Sequence, residues 1–284
     1  MEIVLDKKSI LAKGESYIKE FKGRVFVIKY GGSNLDDEQV SVSILEDIAF
    51  LNQQGIKVVV VHGGGNAISR LMEKRGKRIE FVGGLRVTDE ETANIVDEAL
   101  ADVNSDIVKK IKSFGSKANP IISREHGVIK AKGRNKTLQN DFTGDVDSID
   151  TKTIEALLDK GAIPVVSPVG VGSDDKLYNI NADFAAAEIA IALKAEKLFL
   201  LTNVKGIMKN HLDDKSLIPA VTEKEIEELI SSGIIASGMI PKARASLKAL
   251  FGGVKKVHII TGKIKHSLLI EVLTEKGIGT EIVL

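Results

Sequence analysis

The chain has 284 residues, 43% hydrophobic and 28% charged, with 40 Lys plus Arg against 39 Asp plus Glu for a formal charge of +1. That is enough apolar material for a packed core, it argues against disorder, and it sets up no global basic field for nucleic acid. Cysteine is absent, excluding disulfides and thiolate chemistry; no apolar run approaches the ~18 residues of a membrane span and residues 1–8 lack a signal-peptide core, so a cytoplasmic protein is expected.

Residues 6–21 read as a helix with Ile10, Leu11, Tyr17, Ile18 and Phe21 apolar, ahead of Lys22-Gly23. This helix has no sheet to cross, so its stripe packs either on a neighbouring subunit or back on its own chain. Strands and helices then alternate: a strand at 25–28, a helix at 38–54, a strand at 56–61 and a helix at 66–75. Continuous Val/Ile runs between helical patterns indicate a parallel sheet covered on both faces. Residues 88–113 form a long helical stretch opening on Thr88-Asp89-Glu90-Glu91, a capping box by spacing. Between 120 and 148 the pattern changes. There, 121–122, 128–130 and 142–146 read as short antiparallel strands projecting over the sheet as a substrate lid. The winding resumes with a helix at 151–160, a strand at 163–167, a helix at 183–193 and a strand at 197–201. Helices at 222–231 and 241–251, a strand at 256–260, a helix near 266–273 and a strand at 280–284 close the chain. No repeat or long linker divides it, so one α/β unit with two functional halves is expected.

Three segments fall where such a sheet exposes backbone N–H groups and helix N-termini: Lys29-Tyr30-Gly31-Gly32, His62-Gly63-Gly64-Gly65 and Asn179-Ile180-Asn181-Ala182-Asp183. No P-loop or G-x-G-x-x-G pattern occurs, and no spacing resembles a zinc site. Lys29, at a strand end, reaches a phosphate over the sheet edge or is simply solvated. Three consecutive glycines cost backbone entropy, and a tight turn explains only one of them. Arg86 suits a carboxylate, or a surface salt bridge. Asp183 either caps its helix or holds lysine ammonium groups in place. Lys242 follows Pro241 in a first helical turn, where a cation is unfavourable without an anionic partner. Together these features describe a small-molecule kinase.

In this order, His62-Gly-Gly-Gly, Gly84-Leu-Arg-Val-Thr88, Tyr178-Asn-Ile-Asn-Ala-Asp183, Gly238-Met-Ile-Pro-Lys242 and Gly277-Ile-Gly-Thr280, with 24 residues from His62 to Arg86, resemble the amino-acid kinase family. The resemblance runs from about Arg24 to the C-terminus and is greatest to the members that phosphorylate N-acetyl-L-glutamate. It implies a three-layer αβα sandwich with a mainly parallel central sheet. Residues 1–23 would be a helical extension, 24–180 the acyl-amino-acid half and 181–284 the nucleotide half. The implied reaction passes phosphate from ATP, with Mg2+, to the γ-carboxylate, a step of arginine biosynthesis.

Residue by residue, the resemblance implies that Lys29 and Lys242 neutralise the transferring phosphoryl group and that Asp183 orients both. Gly31, Gly32 and Gly64 would donate backbone N–H bonds, and Gly64, Gly65, Arg86 and Asn179 would hold the acyl amino acid. Thr202, Asn203, Lys205, Gly206, Met208 and Ile234 would lie along the nucleotide. It also implies a homo-oligomer, either a dimer or a hexamer built as a trimer of dimers through the N-terminal helix. Arginine would act as feedback inhibitor at His258, Glu271 and Gly277, with Glu271 on its guanidinium and Lys205 lining the same cavity.

The chain departs from the family pattern at Asp102-Val-Asn-Ser105, at Ser123-Arg-Glu-His-Gly127, in the basic run 130–136, and at Asn203, where Asp is usual. Two other readings stay open: a sibling kinase for N-acetyl-aminoadipate, marked by a longer pocket near 120–145, and a non-catalytic amino-acid sensor of the same fold. Lys29, Asp183 and Lys242 together count against the sensor.

Overall fold

The computed structural model describes residues 7–82, 85–134, 140–210 and 213–284. Helix α1 (Lys7–Phe21) leads into β1 (Val25–Tyr30), α2 (Glu38–Gln53), β2 (Lys57–His62) and α3 (Gly65–Lys74). A two-stranded pair, β3 (Phe81–Val82) and β4 (Leu85–Arg86), precedes α4 (Glu90–Ser113), β5 (Lys117–Ile121) and α5 (Ser123–His126). Then come β6 (Ile129–Gly133), β7 (Thr143–Ile149), α6 (Lys152–Asp159), β8 (Ala162–Val166), β9 (Val169–Gly172) and β10 (Leu177–Ile180). The remainder is α7 (Ala182–Ala192), β11 (Lys197–Thr202), β12 (Ala220–Thr222), α8 (Glu223–Ser231), α9 (Met239–Phe251), β13 (Lys256–Thr261), α10 (Ser267–Leu273) and β14 (Thr280–Val283).

Eight strands form one sheet in the order β12-β14-β13-β11-β1-β2-β8-β5, parallel except where β14 runs against β13. Side chains alternate across each strand. Val27, Val59, Val61, Leu198 and Leu200 therefore pack under α6, α7 and α9, while Phe26, Ile28, Tyr30, Val58 and Val60 face α1, α2, α4 and α10. The result is the expected αβα sandwich. The two expected halves meet between β1 and β11, within a single continuous sheet.

The strands expected over 120–148 are only partly as read. Ile121 ends β5, an edge strand of the main sheet parallel to β8, because its apolar residues complete that sheet's core. β6 and β7 do pair antiparallel, but they close with β9 and β10 into a small barrel, β10-β7-β6-β9. β9 and β10 escape a pattern reading because Gly170 and Gly172 interrupt β9. Packing requires Gly170: a Cβ there would stand 2.6 Å from Ala131 Cβ. Residues 83–84 and 135–139, from two expected segments, lie outside the described residues.

The expected capping box is replaced by a single N-cap one residue later. Asp89 caps α4 by accepting from Thr92 N at 2.7 Å, and Thr88 instead donates its hydroxyl to Arg86 O. Helix α1 folds onto its own chain: Ile10 and Phe21 are buried with the α10 leucines, and a Cβ on Gly14 would meet Leu273 Cβ at 2.7 Å. The stripe proposed for a neighbouring subunit is thus largely used internally.

Candidate active site

Parallel strands of an open sheet place their functional groups at their C-terminal ends, and three charged side chains converge there. Lys29, near the end of β1, is buried with Nζ 3.0 Å from Asp183 Oδ1. Lys242, in the first turn of α9, puts Nζ 2.8 Å from Asp183 Oδ2 and donates a hydrogen bond to it. Lys29 thus pairs with one carboxylate oxygen and Lys242 with the other. Asp183 is free for this role because Asn181 caps α7, accepting from Asp183 N and Phe184 N at 2.9 and 3.3 Å. Burial pushes the Asp183 carboxyl up, but the two lysines outweigh it and hold it below the ordinary carboxylate value. Burial, and then repulsion from Lys29, hold Lys242 below the usual lysine value against the pull of Asp183.

The glycine loops lie beside this triad. Gly63 N donates to Tyr30 O at 2.8 Å, and a Cβ on Gly31 would stand 2.9 Å from Gly63 N and crowd the Lys29 ammonium. A Cβ on Gly64 would meet Leu100 Cδ2 at 2.5 Å. Packing therefore already demands two of the glycines. Gly65 has open space in front of it and begins α3, which no side chain caps. Its N–H has no side-chain cap, while its carbonyl accepts from Arg86. Gly32 takes φ +68°, a conformation glycine adopts without strain.

Gly63, Gly64, Gly65, Arg86, Thr143 and Asn179 border a cavity of about 210 Å³. Arg86 is buried, lies 4.7 Å over the Phe81 ring, and donates to Gly65 O at 3.0 Å, Ser69 Oγ at 2.8 Å and the Met72 thioether. No carboxylate pairs with it among the described residues, so the surface salt bridge is not formed. Part of its fork is committed to α3, and burial lowers its pKa. A second cavity, about 140 Å³, borders Gly32, Gly64 and Gly65. Its cations are already compensated, Arg70 by Asp36 and Lys110 by Glu38. Of the two cavities, the one bordered by Arg86 is thus the one whose cation has no carboxylate partner among the described residues. Asn179 donates to Thr88 Oγ1 at 3.2 Å on its wall.

Of the unusual segments, 102–105 lies beside the glycine loops, with Val103 on the second cavity, whereas 123–127 lies elsewhere. Arg124 of α5 bonds to Asp97 of α4 at 2.8 Å, and none of residues 120–134 borders the Arg86 cavity. Thr202, ending β11, accepts from Asn34 Nδ2 at 3.2 Å and Gly262 N at 2.9 Å, and its hydroxyl meets Asn203. The following loop carries Lys205, Gly206 and Met208. Gly206 is demanded by packing, since a Cβ would stand 2.5 Å from Thr280 Oγ1, and Met208 bridges to Leu217. Ile234 is exposed after α8.

His258, Glu271 and Gly277 do meet, on the α1–α10 face. Glu271 Oε1 lies 2.8 Å from His258 Nδ1, and Oε2 accepts from Ile278 N at 2.6 Å and Gly279 N at 3.1 Å. Burial raises the Glu271 carboxyl's pKa, but His258 and those amides outweigh it. The carboxylate is therefore held in place within the fold, while His258 Nε2 is buried without a hydrogen-bond partner. Lys197, absent from the sequence reading, stands on the strand beside His258 with Nζ 4.6 Å over the Phe21 ring, its pKa lowered by burial and then by Lys256. A lysine opening an otherwise apolar strand was the available signal. Lys205 lies past the opposite end of β11, outside this cluster.

An acetylglutamate kinase of Aquifex aeolicus is 44% identical over 100% of both chains, and one of Methanocaldococcus jannaschii is 45% identical over 98% of this chain and 97% of its own. Among solved structures, N-acetylglutamate synthase from Neisseria gonorrhoeae complexed with coenzyme A and L-arginine superposes with a TM-score of 0.82 at 27% identity. That match covers 98% of this chain, which spans 66% of the synthase. The model of the amino acid kinase family matches residues 24–261, and the chain belongs to that family.

Proposed function

We propose that the protein transfers the γ-phosphoryl group of ATP to the γ-carboxylate of N-acetyl-L-glutamate, a step of arginine biosynthesis. The observation that carries this reading is Asp183 holding two ammonium groups, one from the end of β1 and one from the start of α9. A carboxylate oxygen of the acceptor attacks phosphorus as the bond to ADP breaks, so charge moves onto oxygens that Lys29 and Lys242 face. Such a transfer needs alignment and charge stabilisation, and a carboxylate nucleophile needs no general base. Residues 24–180 supply the acceptor site, with Arg86 on its carboxylate, and residues 181–284 supply the nucleotide site, with Thr202, Asn203, Lys205, Gly206, Met208 and Ile234 along it. Among the described residues no three carboxylate or imidazole side chains converge. Magnesium therefore enters on the nucleotide's phosphates, as suits an ion that keeps most of its water.

The test is ADP release with N-acetylglutamate, glutamate and N-acetyl-aminoadipate as acceptors. N-acetylglutamate should lead N-acetyl-aminoadipate by about 10–200-fold in kcat/KM, the range for one methylene. The reverse order would install the sibling kinase; no ADP release with any acceptor would leave the sensor.

The same reading places the protein in the cytoplasm as a homo-oligomer, a dimer or a trimer of dimers, with arginine as feedback inhibitor beside His258, Glu271 and Gly277. Lys197, the open Nε2 of His258 and the arginine-bound synthase support the regulatory part. Millimolar arginine should inhibit, Glu271→Gln should relieve the inhibition, and bound substrate should weaken arginine by the factor that arginine weakens substrate. Unchanged activity in arginine would remove the regulatory reading. Deleting α1 is a poor test, because it strips the cover from α10.

A further inference from the structure

Beneath the glycine loop lies a buried polar network that the phosphoryl-transfer reading does not use. His62, the last residue of β2, is fully buried and directs Nδ1 to Gly63 O at 2.8 Å. On its other side, Nε2 lies 3.0 Å from Ser167 Oγ, beyond β8, and 3.1 Å from Asn104 Nδ2, on α4. Asn104 Nδ2 also donates to Val165 O at 2.8 Å and lies 3.1 Å from Ser167 Oγ. Asn104 and Ser167 are buried as well.

The proton positions follow from what each partner can do. A carbonyl oxygen only accepts, so the bond to Gly63 O requires a proton on Nδ1. Val165 O likewise fixes the amide of Asn104 with nitrogen towards it. The other amide hydrogen goes to Ser167 Oγ, and the serine hydroxyl donates to Nε2. Nε2 is thus an acceptor and the ring is neutral. Burial pushes the His62 pKa down to about 4, in agreement.

The Gly63–Gly64 peptide is trans. In a planar trans peptide the N–H points opposite to the C=O, so holding Gly63 O on the ring turns Gly64 N–H away from it. We propose that His62, in its neutral Nδ1–H tautomer, is a positioning residue that fixes the Gly63–Gly64 peptide and so presents the Gly64 N–H to the charge developing on the transferred group. Ser167 and Asn104 hold the ring in that tautomer. This inference rests on the kinase reading, in which Gly64 N–H is a donor in the transition state.

Isosteric amides separate the two sides of the ring. His62→Asn keeps a donor near the Nδ1 position and loses the Nε2 acceptor; His62→Gln keeps a polar group near Nε2 and loses the Nδ1 donor. For variants matched in folded fraction, His62→Asn should stay within about tenfold of wild-type kcat. His62→Gln should fall by about 10²-fold, approaching the loss of one preorganised donor, with KM for nucleotide unchanged. Equal losses, or a loss only in KM, would overturn the proposal. If neither variant folds, side-chain nitrogen NMR of the wild-type protein decides. The His62 proton should sit on Nδ1, with the ring neutral from about pH 5.5 to about pH 8; a proton on Nε2 would overturn the assignment. Failure of the kinase reading shows separately, as a wild-type protein without ADP release.

Discussion

Lys242→Ala is expected to lower kcat by about 10²–10³-fold, the usual cost of removing one preorganised donor from a buried site, and Lys29→Ala should do the same. In free energy that is about 3–4 kcal/mol of transition-state stabilisation. Both ammonium groups lean on Asp183, so neither spends itself on a partner that leaves when the nucleotide binds. Each variant also leaves Asp183 with one counter-charge, and its thermal midpoint should be measured beside its rate. Near-normal kcat in either variant would remove that lysine from the chemistry. The wild-type pH profile carries the same information. Lys242 works as a cation and its pKa lies below the ordinary lysine value of 10.5, so kcat should fall on the alkaline side before an ordinary lysine would lose its proton. The sign for stability is opposite: between the folded and unfolded pKa values the unfolded chain holds more protons, so this group's contribution rises with pH. A falling kcat at constant fold content is the expected signature.

The second large effect is on recognition. Arg86→Lys should raise KM for the acyl amino acid by about 10–150-fold, since a hydrogen bond to a charged group contributes about 1.5–3 kcal/mol and lysine cannot reproduce the planar fork. KM for ATP should barely change. The structure sharpens the control, because the guanidinium also ties β4 to α3 through Gly65 O and Ser69 Oγ. Equal losses for both substrates would mean that this tie is the whole role of Arg86.

The parallel sheet was plain in the Val/Ile runs, because strands buried on both faces leave a continuous apolar signature. The barrel was not. Gly170 and Gly172 break its pattern for a reason that exists only in three dimensions, where β9 crosses Ala131 and Tyr178. The spacing from Thr88 to Glu91 pointed to Thr88 as the cap, and only the folded backbone shows that Asp89 is the one that reaches Thr92 N. At the candidate site, Lys29, Asp183 and Lys242 were readable as residue types in sensible places, but their shared carboxylate was not, since nothing local ties residues so distant in sequence. Arg86 was legible as a cation, not as one lacking a counter-ion. The glycines misled in part: Gly31 and Gly64 answer to their neighbours in the fold before they answer to any ligand. Lys197 was missed because a lysine at the start of a strand usually ends in solvent.

The seam between β1 and β11 has a consequence for how the molecule comes into being. β1 finds β2 soon after it is made, and β8 and β5 extend that side, yet its other edge waits for a strand that begins at Lys197. Such distant pairing folds late, and a nascent chain closes its domains in the order it is made. Lys29 emerges near the start of synthesis and Lys242 near its end, with Asp183 between them. A chain stopped after β8 would own both glycine loops and Arg86 yet have no second ammonium group and no carboxylate to hold the first. The three charged groups of the proposed reaction therefore meet only in a chain made past Lys242.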